Sequence, residues 1–265
     1  MMLNISFKTF KSQYLKKQNQ ILYYSIKTKG QKEIENLINN FLTEKDSFIF
    51  ESVEKGFIKG RYTIFGNNPD KIWEFNNNKC KLFINKKVKI LIGSPKKNIE
   101  KIIENFKFKI PKELPPISSI LSGYFSYDII RYIEKIPNNT KNDLNIPDAR
   151  ILRPRNIIIH DNVEKKLYFI VIIFNDEKIN NFEKKISQIN KQIEEMVFLA
   201  NYKYTKSIKQ NEKLPKVKSN ISKRKFINNV KKAKKYIKIG DIFQVVLSQR
   251  FECKLTKEPI EIYKK

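Results

Sequence analysis

The 265-residue chain reads as an α+β protein, on three observations from its sequence. Short strand-like segments dominate, helical segments are interspersed without regular alternation, and no internal repeat is present. Apolar residues make up 40%, enough for a core at a length that allows one large domain or two small ones.

The elements follow in order. Gln31–Leu42 carries Ile34, Leu37, Ile38 and Phe41 on one helical stripe. Strand-like pieces follow at Ser47–Ser52, Arg61–Gly66 and Lys71–Phe75, and Lys81–Gly93 reads as a hairpin turning near Asn85–Lys87. Asn98 is placed to cap a helix running to about Phe106. Leu114–Pro116 is a loop. Gly123–Tyr127 reads as a strand entering a helix at Asp128–Glu134. Asn156–His160 and Leu167–Phe174 read as paired buried strands, and Lys178–Leu199 as a long amphipathic helix. Residues 201–221 are Lys-rich, poor in large aliphatics and aperiodic, and form the linker between a region 1–200 and a region 222–265. Beyond it, Ser222 is an N-cap for a helix with Phe226, Val230, Ala233 and Ile237 on one face, closed by Gly240. Asp241–Phe251 reads as a strand that alternates Ile242, Gln244, Val246, Ser248 and Arg250 against Phe243, Val245, Leu247, Gln249 and Phe251. The segment EPIEIYKK begins a helix near Pro259, and a chain stopping there reads as a fragment.

Composition excludes several function classes. The formal charge is +27, yet 47 of the 54 basic residues are Lys and only seven are Arg. Ile (42) and Asn (28) are equally inflated and Ala occurs three times, the signature of an AT-rich coding sequence. Phosphate and guanine contacts favour Arg, so the charge does not indicate a nucleic-acid partner. One histidine, His160, excludes multi-histidine zinc sites, and its place beside Asp161 reads as a satisfied structural position. Two cysteines, Cys80 and Cys253, make no disulfide framework. No Gly-rich phosphate loop occurs among seven glycines. Met1–Lys17 has no apolar leader, and the longest apolar run, Leu167–Phe174, is too short to span a bilayer, so the expected location is cytoplasmic with no membrane contact.

Four segments, in order, carry a more specific signal. They are Phe48–Gly66 (FIFESVEKGFIKGRYTIFG), Gly123–Arg131 (GYFSYDIIR), Asp143–Ala149 (DLNIPDA) and Val230–Glu252 (VKKAKKYIKIGDIFQVVLSQRFE). Together they resemble the large subunit, component I, of anthranilate synthase, a chorismate-utilising enzyme. The fourth block is the most specific. The likeness covers the whole chain but about the N-terminal half of that family's length. Phe50, Ser126 and Asn145 are mild departures from the family pattern.

The resemblance implies a multilayer β-sandwich with flanking helices, of which this chain supplies the N-terminal half. Residues 1–200 would be the regulatory and subunit-contacting region, and 222–265 the start of the chorismate-binding catalytic domain. It implies conversion of chorismate and ammonia to anthranilate and pyruvate with Mg²⁺ in tryptophan synthesis. Ammonia would come from a separate glutamine amidotransferase subunit, in a heterotetramer. Tryptophan would act as feedback inhibitor at Ser52, with Glu51 beside it; Ser52 shares strand parity with Phe48 and Phe50. Gln244 would line the active site. Related enzymes that add water place a basic Lys there, and an amide cannot act as a base at neutral pH. The Mg²⁺ ligands and the catalytic residues are expected beyond Lys265, so the chain alone is expected to be inactive. The alternatives are aminodeoxychorismate synthase component I of folate synthesis, and a tryptophan-binding regulatory module without catalysis.

Overall fold

The computed structural model describes residues 3–51, 60–139, 142–203 and 215–263. The chain forms two compact units, Met1–Tyr204 and Thr205–Lys265. In chain order the first contains α1 (Phe7–Leu15), β1 (Gln20–Lys27), α2 (Gln31–Asn40), β2 (Phe48–Glu51), β3 (Tyr62–Asn76), β4 (Lys79–Ile84), β5 (Lys87–Leu91) and α3 (Pro95–Asn105). It continues with β6 (Ser122–Phe125), a 3-10 helix (Tyr127–Tyr132), β7 (Ala149–Asp161), β8 (Lys166–Ile173) and α4 (Phe182–Asn201). The second contains β9 (Lys218–Ser219), α5 (Lys223–Lys238), β10 (Phe251–Glu252) and α6 (Pro259–Tyr263).

An antiparallel sheet with helices against it makes the first unit α+β. Its spine is the long β3–β7 pair, and the path runs β1-β8-β7-β3-β4-β5. The two pieces Arg61–Gly66 and Lys71–Phe75 are one strand with a flaw. Pro69 lies opposite Pro154, and the register shifts between Pro69 and Lys71, leaving Asp70 as the extra residue. Proline has no N–H for the ladder, so the sheet is interrupted where the two prolines meet. On one side of the flaw, β2 flanks β3 and β8 flanks β7; on the other, β4 and β6 take those places.

Each half carries its own core. Ile157, Ile159, Tyr168, Ile170 and Ile172 pack with Ile21 and Leu114 in one. Trp73, Phe75, Cys80, Leu82, Ala149 and Ile151 pack with Ile102 of α3 in the other. Residues of opposite parity, Phe65 and Ile158 among them, are also buried, and Phe65 meets Phe41 edge-on just past α2. The apolar run at Leu167–Phe174 is buried throughout because β8 lies between β1 and β7 with both faces covered. α2 and α4 are joined by side-chain amides. Asn36 donates to the Ala200 carbonyl at 3.0 Å, and Asn40 to the Leu199 and Tyr202 carbonyls, satisfying groups that a helix end leaves unpaired.

Local signals place most boundaries. Asn85 and Lys86 both take positive φ (47° and 64°) in the two-residue turn joining β4 to β5, the geometry that suits a twisted hairpin. Ser222 caps α5 by accepting from the Lys225 N–H. Gly240 (φ 85°) ends that helix in a Schellman motif, with the Gly240 N–H on Ile237 O and the Asp241 N–H on Tyr236 O.

Three expectations are corrected. Asn98 lies inside α3, whose cap is Ser94; the Asn98 amide instead donates to the carbonyls of Gly93 and Ser94. The helix expected at Asp128–Glu134 is the short 3-10 segment Tyr127–Tyr132. The strand expected over Asp241–Phe251 is not formed among the described residues: only Phe251–Glu252 pairs, with Lys218–Ser219. A strand needs a neighbour's backbone groups, and 242–249 pairs with none among the described residues. Phe243 is 100% exposed and Val246 81%.

Candidate functional site

The motif segments at 123–131 and 143–149 meet at Asp148. Its N–H donates to the Phe75 carbonyl at 2.7 Å, and its carbonyl accepts from the Ser126 N–H at 2.7 Å. Its Oδ2 accepts from the Tyr132 hydroxyl at 2.6 Å and from the Asn77 N–H at 2.7 Å. Burial and then Asp148 hold the Tyr132 hydroxyl protonated, far above the usual phenol range. Arg131 pairs with Asp128 and donates to the carbonyls of Ile136 and Pro137. GYFSYDIIR and DLNIPDA are thus one knot that fixes β6 beside β7. Asp128, Arg131 and Asp148 are spent on the scaffold, while the buried Ser126 hydroxyl has no hydrogen-bond partner among the described residues.

The segment that begins at β2 is anchored at both ends. β2 pairs with β3 so that Phe48 faces Gly66 and Glu51 faces Thr63. The Phe48 ring occupies the space a Cβ on Gly66 would need. Glu51 is half-buried at the end of β2. Ser52 lies outside the described residues. At the return, Asn162 donates its side-chain amide to Gly60 O at 3.1 Å and its N–H to Arg61 O at 2.8 Å. The Arg61 guanidinium holds Asp161 at 2.8 Å, and Asp161 is 1% exposed. Burial alone would raise the Asp161 carboxyl. The Arg61 hydrogen bonds and the N–H groups of Glu164 and Val163 outweigh it, so the group lies below the usual carboxylate range. The stability this gives is present above the unfolded value near 3.8 and is lost as pH falls through the lower folded value. Replacing Asp161 with Asn is therefore expected to flatten the acid limb of a stability-against-pH curve; an unchanged limb in urea titrations would refute the assignment.

Gln244 lies in the exposed stretch after α5. Glu51 belongs to the first unit and Gln244 to the second. Among the described residues no group of three His, Cys, Asp or Glu side chains could hold a metal ion. Cys80 is buried, which pushes its thiol up to about 11 and leaves it unreactive. No helix among the described residues is long and apolar enough to cross a membrane.

Two features escaped the sequence reading. Arg153 is a buried hub. Its Nε and Nη2 hold the Asp70 carboxylate at 2.8 and 2.5 Å, its Nη2 holds Asp176 at 2.8 Å, and its guanidinium lies 3.8 Å over the Phe174 ring. Lys71 also pairs with Asp176. This hub borders a cavity of about 490 Å³ lined by Trp73, Asn98 and Phe106 among others. The available signal was the spacing of Arg150, Arg153 and Arg155, three of seven arginines within six positions of a Lys-rich chain. The second feature is His160. It is buried, as expected, but neither ring nitrogen has a hydrogen-bond partner among the described residues. The expectation of a satisfied histidine is overturned.

The first unit's bent antiparallel sheet, with α2 and α4 on one face, defines an α+β enzyme scaffold. A crystal structure of anthranilate synthase component I from Streptococcus pneumoniae matches at a TM-score of 0.58 over 84% of this chain and 47% of that one, with 24% identity. That likeness establishes the fold. The chain belongs to the chorismate binding enzyme family, whose model matches residues 47–265. Component 1 of anthranilate synthase from Acetivibrio thermocellus is 32% identical over 86% of this chain and 47% of its own length. The protein of the same name from Cereibacter sphaeroides is 27% identical over 98% of this chain and 53% of its own. The chain thus spans about half the length of the curated relatives it matches.

Proposed function

We propose that the chain is the N-terminal part of an anthranilate synthase large subunit. In this reading the enzyme joins ammonia to the ring of chorismate and releases pyruvate and water, leaving anthranilate. A separate glutamine amidotransferase subunit supplies the ammonia, and Mg²⁺ is bound by residues outside this chain. The multilayer sandwich of the family, the assignment of 1–200 to regulation and of 222–265 to chorismate binding, and a cytoplasmic location belong to the same proposal. The observation that carries it is the block GDIFQVVLSQRF at 240–251, which supports an anthranilate-forming rather than a water-adding member through Gln244. An amide cannot take a proton from water at neutral pH, so position 244 favours a nucleophile that arrives as free ammonia. In a polypeptide that carries this chain at its relatives' full length, Gln244→Lys is expected to lower anthranilate formation and admit water as nucleophile. Unchanged kinetics would remove Gln244 from the site.

Tryptophan is proposed to inhibit by binding at Ser52 and Glu51. A hydroxyl hydrogen bond to a charged ligand group contributes about 1.5–3 kcal/mol, or roughly tenfold to a hundredfold in affinity. Ser52→Ala is therefore expected to raise the tryptophan concentration needed for half-inhibition by about that factor. A change under about twofold, read with unaltered chorismate turnover, would sink the assignment.

A further inference from the structure

On the face of the sheet toward α2, three buried polar atoms have no hydrogen-bond partner among the described residues: Glu33 Oε1, His160 Nδ1 and His160 Nε2. Glu33 is 3% exposed and His160 5%. Buried polar groups are nearly always paired, so orphan atoms on His160 and on Glu33, whose charge acts on it, call for an explanation. Glu33 is the third residue of α2. Its other oxygen is committed, accepting from the Thr28 hydroxyl and the Lys29 N–H at 2.6 Å each. His160, in β7, lies opposite Thr63 of β3, and Thr63 opposite Glu51 of β2. Directly opposed residues share a face, so Glu51, Thr63 and His160 form one row across three strands. Phe65 and Ile158 lie two positions along the same strands, and Phe65 meets Phe41 at the end of α2, which identifies the face.

Among the described residues three charges act on His160, and Glu51 closes the same row two strands away. Glu33 comes from α2, Asp161 from β7 itself, and Lys165 from the turn into β8. The β8 residue opposite His160 is Leu167, which carries no charge. The Asp161 carboxylate is committed to Arg61 and to the N–H groups of Val163 and Glu164. Glu33 Oε1 is therefore the acceptor not already engaged. A neutral imidazole offers one donor and one acceptor; an imidazolium offers two donors and a charge.

We infer that His160 and Glu33 form a proton-operated latch between α2 and the strand row that ends at Glu51. Neutral His160 leaves the row set by the sheet alone. Protonated His160 is drawn to Glu33 Oε1, and the shift passes through Thr63 to Glu51. Burial and the Lys165 charge push the imidazole below its ordinary 6.5, while Glu33 and Asp161 oppose them, so the latch works on the acid side of neutrality. Its effect on tryptophan rests on the reading of Glu51 and Ser52 given above.

His160 is the sole histidine of the chain, so one imidazole resonance reports it in the isotope-labelled 265-residue protein. The expected midpoint lies below 6.5 and moves further down in Glu33→Gln, which keeps an oxygen for the Thr28 and Lys29 contacts. The Thr63 and Glu51 amide signals shift with the same midpoint. They stay flat in His160→Phe, a variant that fills the volume without orphan atoms. A midpoint indifferent to Glu33→Gln, or Thr63 and Glu51 amides that ignore the His160 titration, would overturn the latch. Tryptophan affinity is expected to change severalfold between about pH 7.5 and about pH 5 in the parent but not in His160→Phe; a parent affinity that is pH-independent overturns the regulatory part. Failure to bind tryptophan at any pH counts against the Glu51–Ser52 reading, and the amide titrations decide the latch without it.

Discussion

Gly123→Ala is expected to destabilise the first unit by about 3 kcal/mol or more. A Cβ on Gly123 would lie 1.9 Å from the Arg150 carbonyl oxygen, 2.9 Å from its carbon and 3.0 Å from the Ile151 Cα. All three atoms belong to the backbone of β7, so no side chain can swing aside. Relief requires β6 to part from β7, which undoes the pairing of Ser122–Phe125 with Ala149–Leu152. Arg150 would also be displaced from its ion pairs with Asp46 and Glu74. Urea unfolding of the two proteins reads the difference directly, and a loss under about 1 kcal/mol would show that β6 is not held as described.

Arg153→Met is expected to cost about 3 kcal/mol, because it leaves the half-buried Asp70 with Arg155 alone, 3.8 Å away. The loss includes the bidentate hold on Asp70, the bond to Asp176 and the stacking on Phe174. Arg153→Lys is expected to recover only part of this, since an ammonium cannot span both carboxylates with a planar fork. The diagnostic partner is the double variant Arg153→Met/Asp70→Leu. Removing both charges is expected to restore much of the lost stability, because the main penalty is an uncompensated charge rather than a missing attraction. A double variant as unstable as the single would place the cost in packing instead.

The α+β class, both long helices, the β4–β5 turn and the cap and stop of α5 were legible because each depends on neighbours in sequence. Periodicity gives α2 and α4, Ser222 and Gly240 give the ends of α5, and Asn85 favours the positive φ of the turn. What depends on distant partners was harder to see. Arg61–Gly66 and Lys71–Phe75 looked separate because Pro69 breaks the pattern, and only the pairing with Pro154 makes them one bent strand. Asp241–Phe251 has a strand's alternation, yet a strand forms only where another backbone lies beside it. The motif blocks at 123–131 and 143–149 signalled a family, while the structure gives Asp128, Arg131 and Asp148 scaffold work. Of the candidate site, Glu51 lies where β2 predicts, Ser52 falls outside the described residues, and Gln244 is exposed. Nothing in the pattern IIIHDN told that His160 is buried without a partner, because its surroundings come from α2, more than a hundred residues away.

The most direct test of the proposed function is the product formed from chorismate. A polypeptide that carries this chain at its relatives' full length is supplied with chorismate, Mg²⁺ and ammonium, and the products are separated and identified. Anthranilate and pyruvate in equal amounts, suppressed by L-tryptophan, are the predicted result. Formation of aminodeoxychorismate without pyruvate, or binding of tryptophan with no turnover of chorismate, would contradict it.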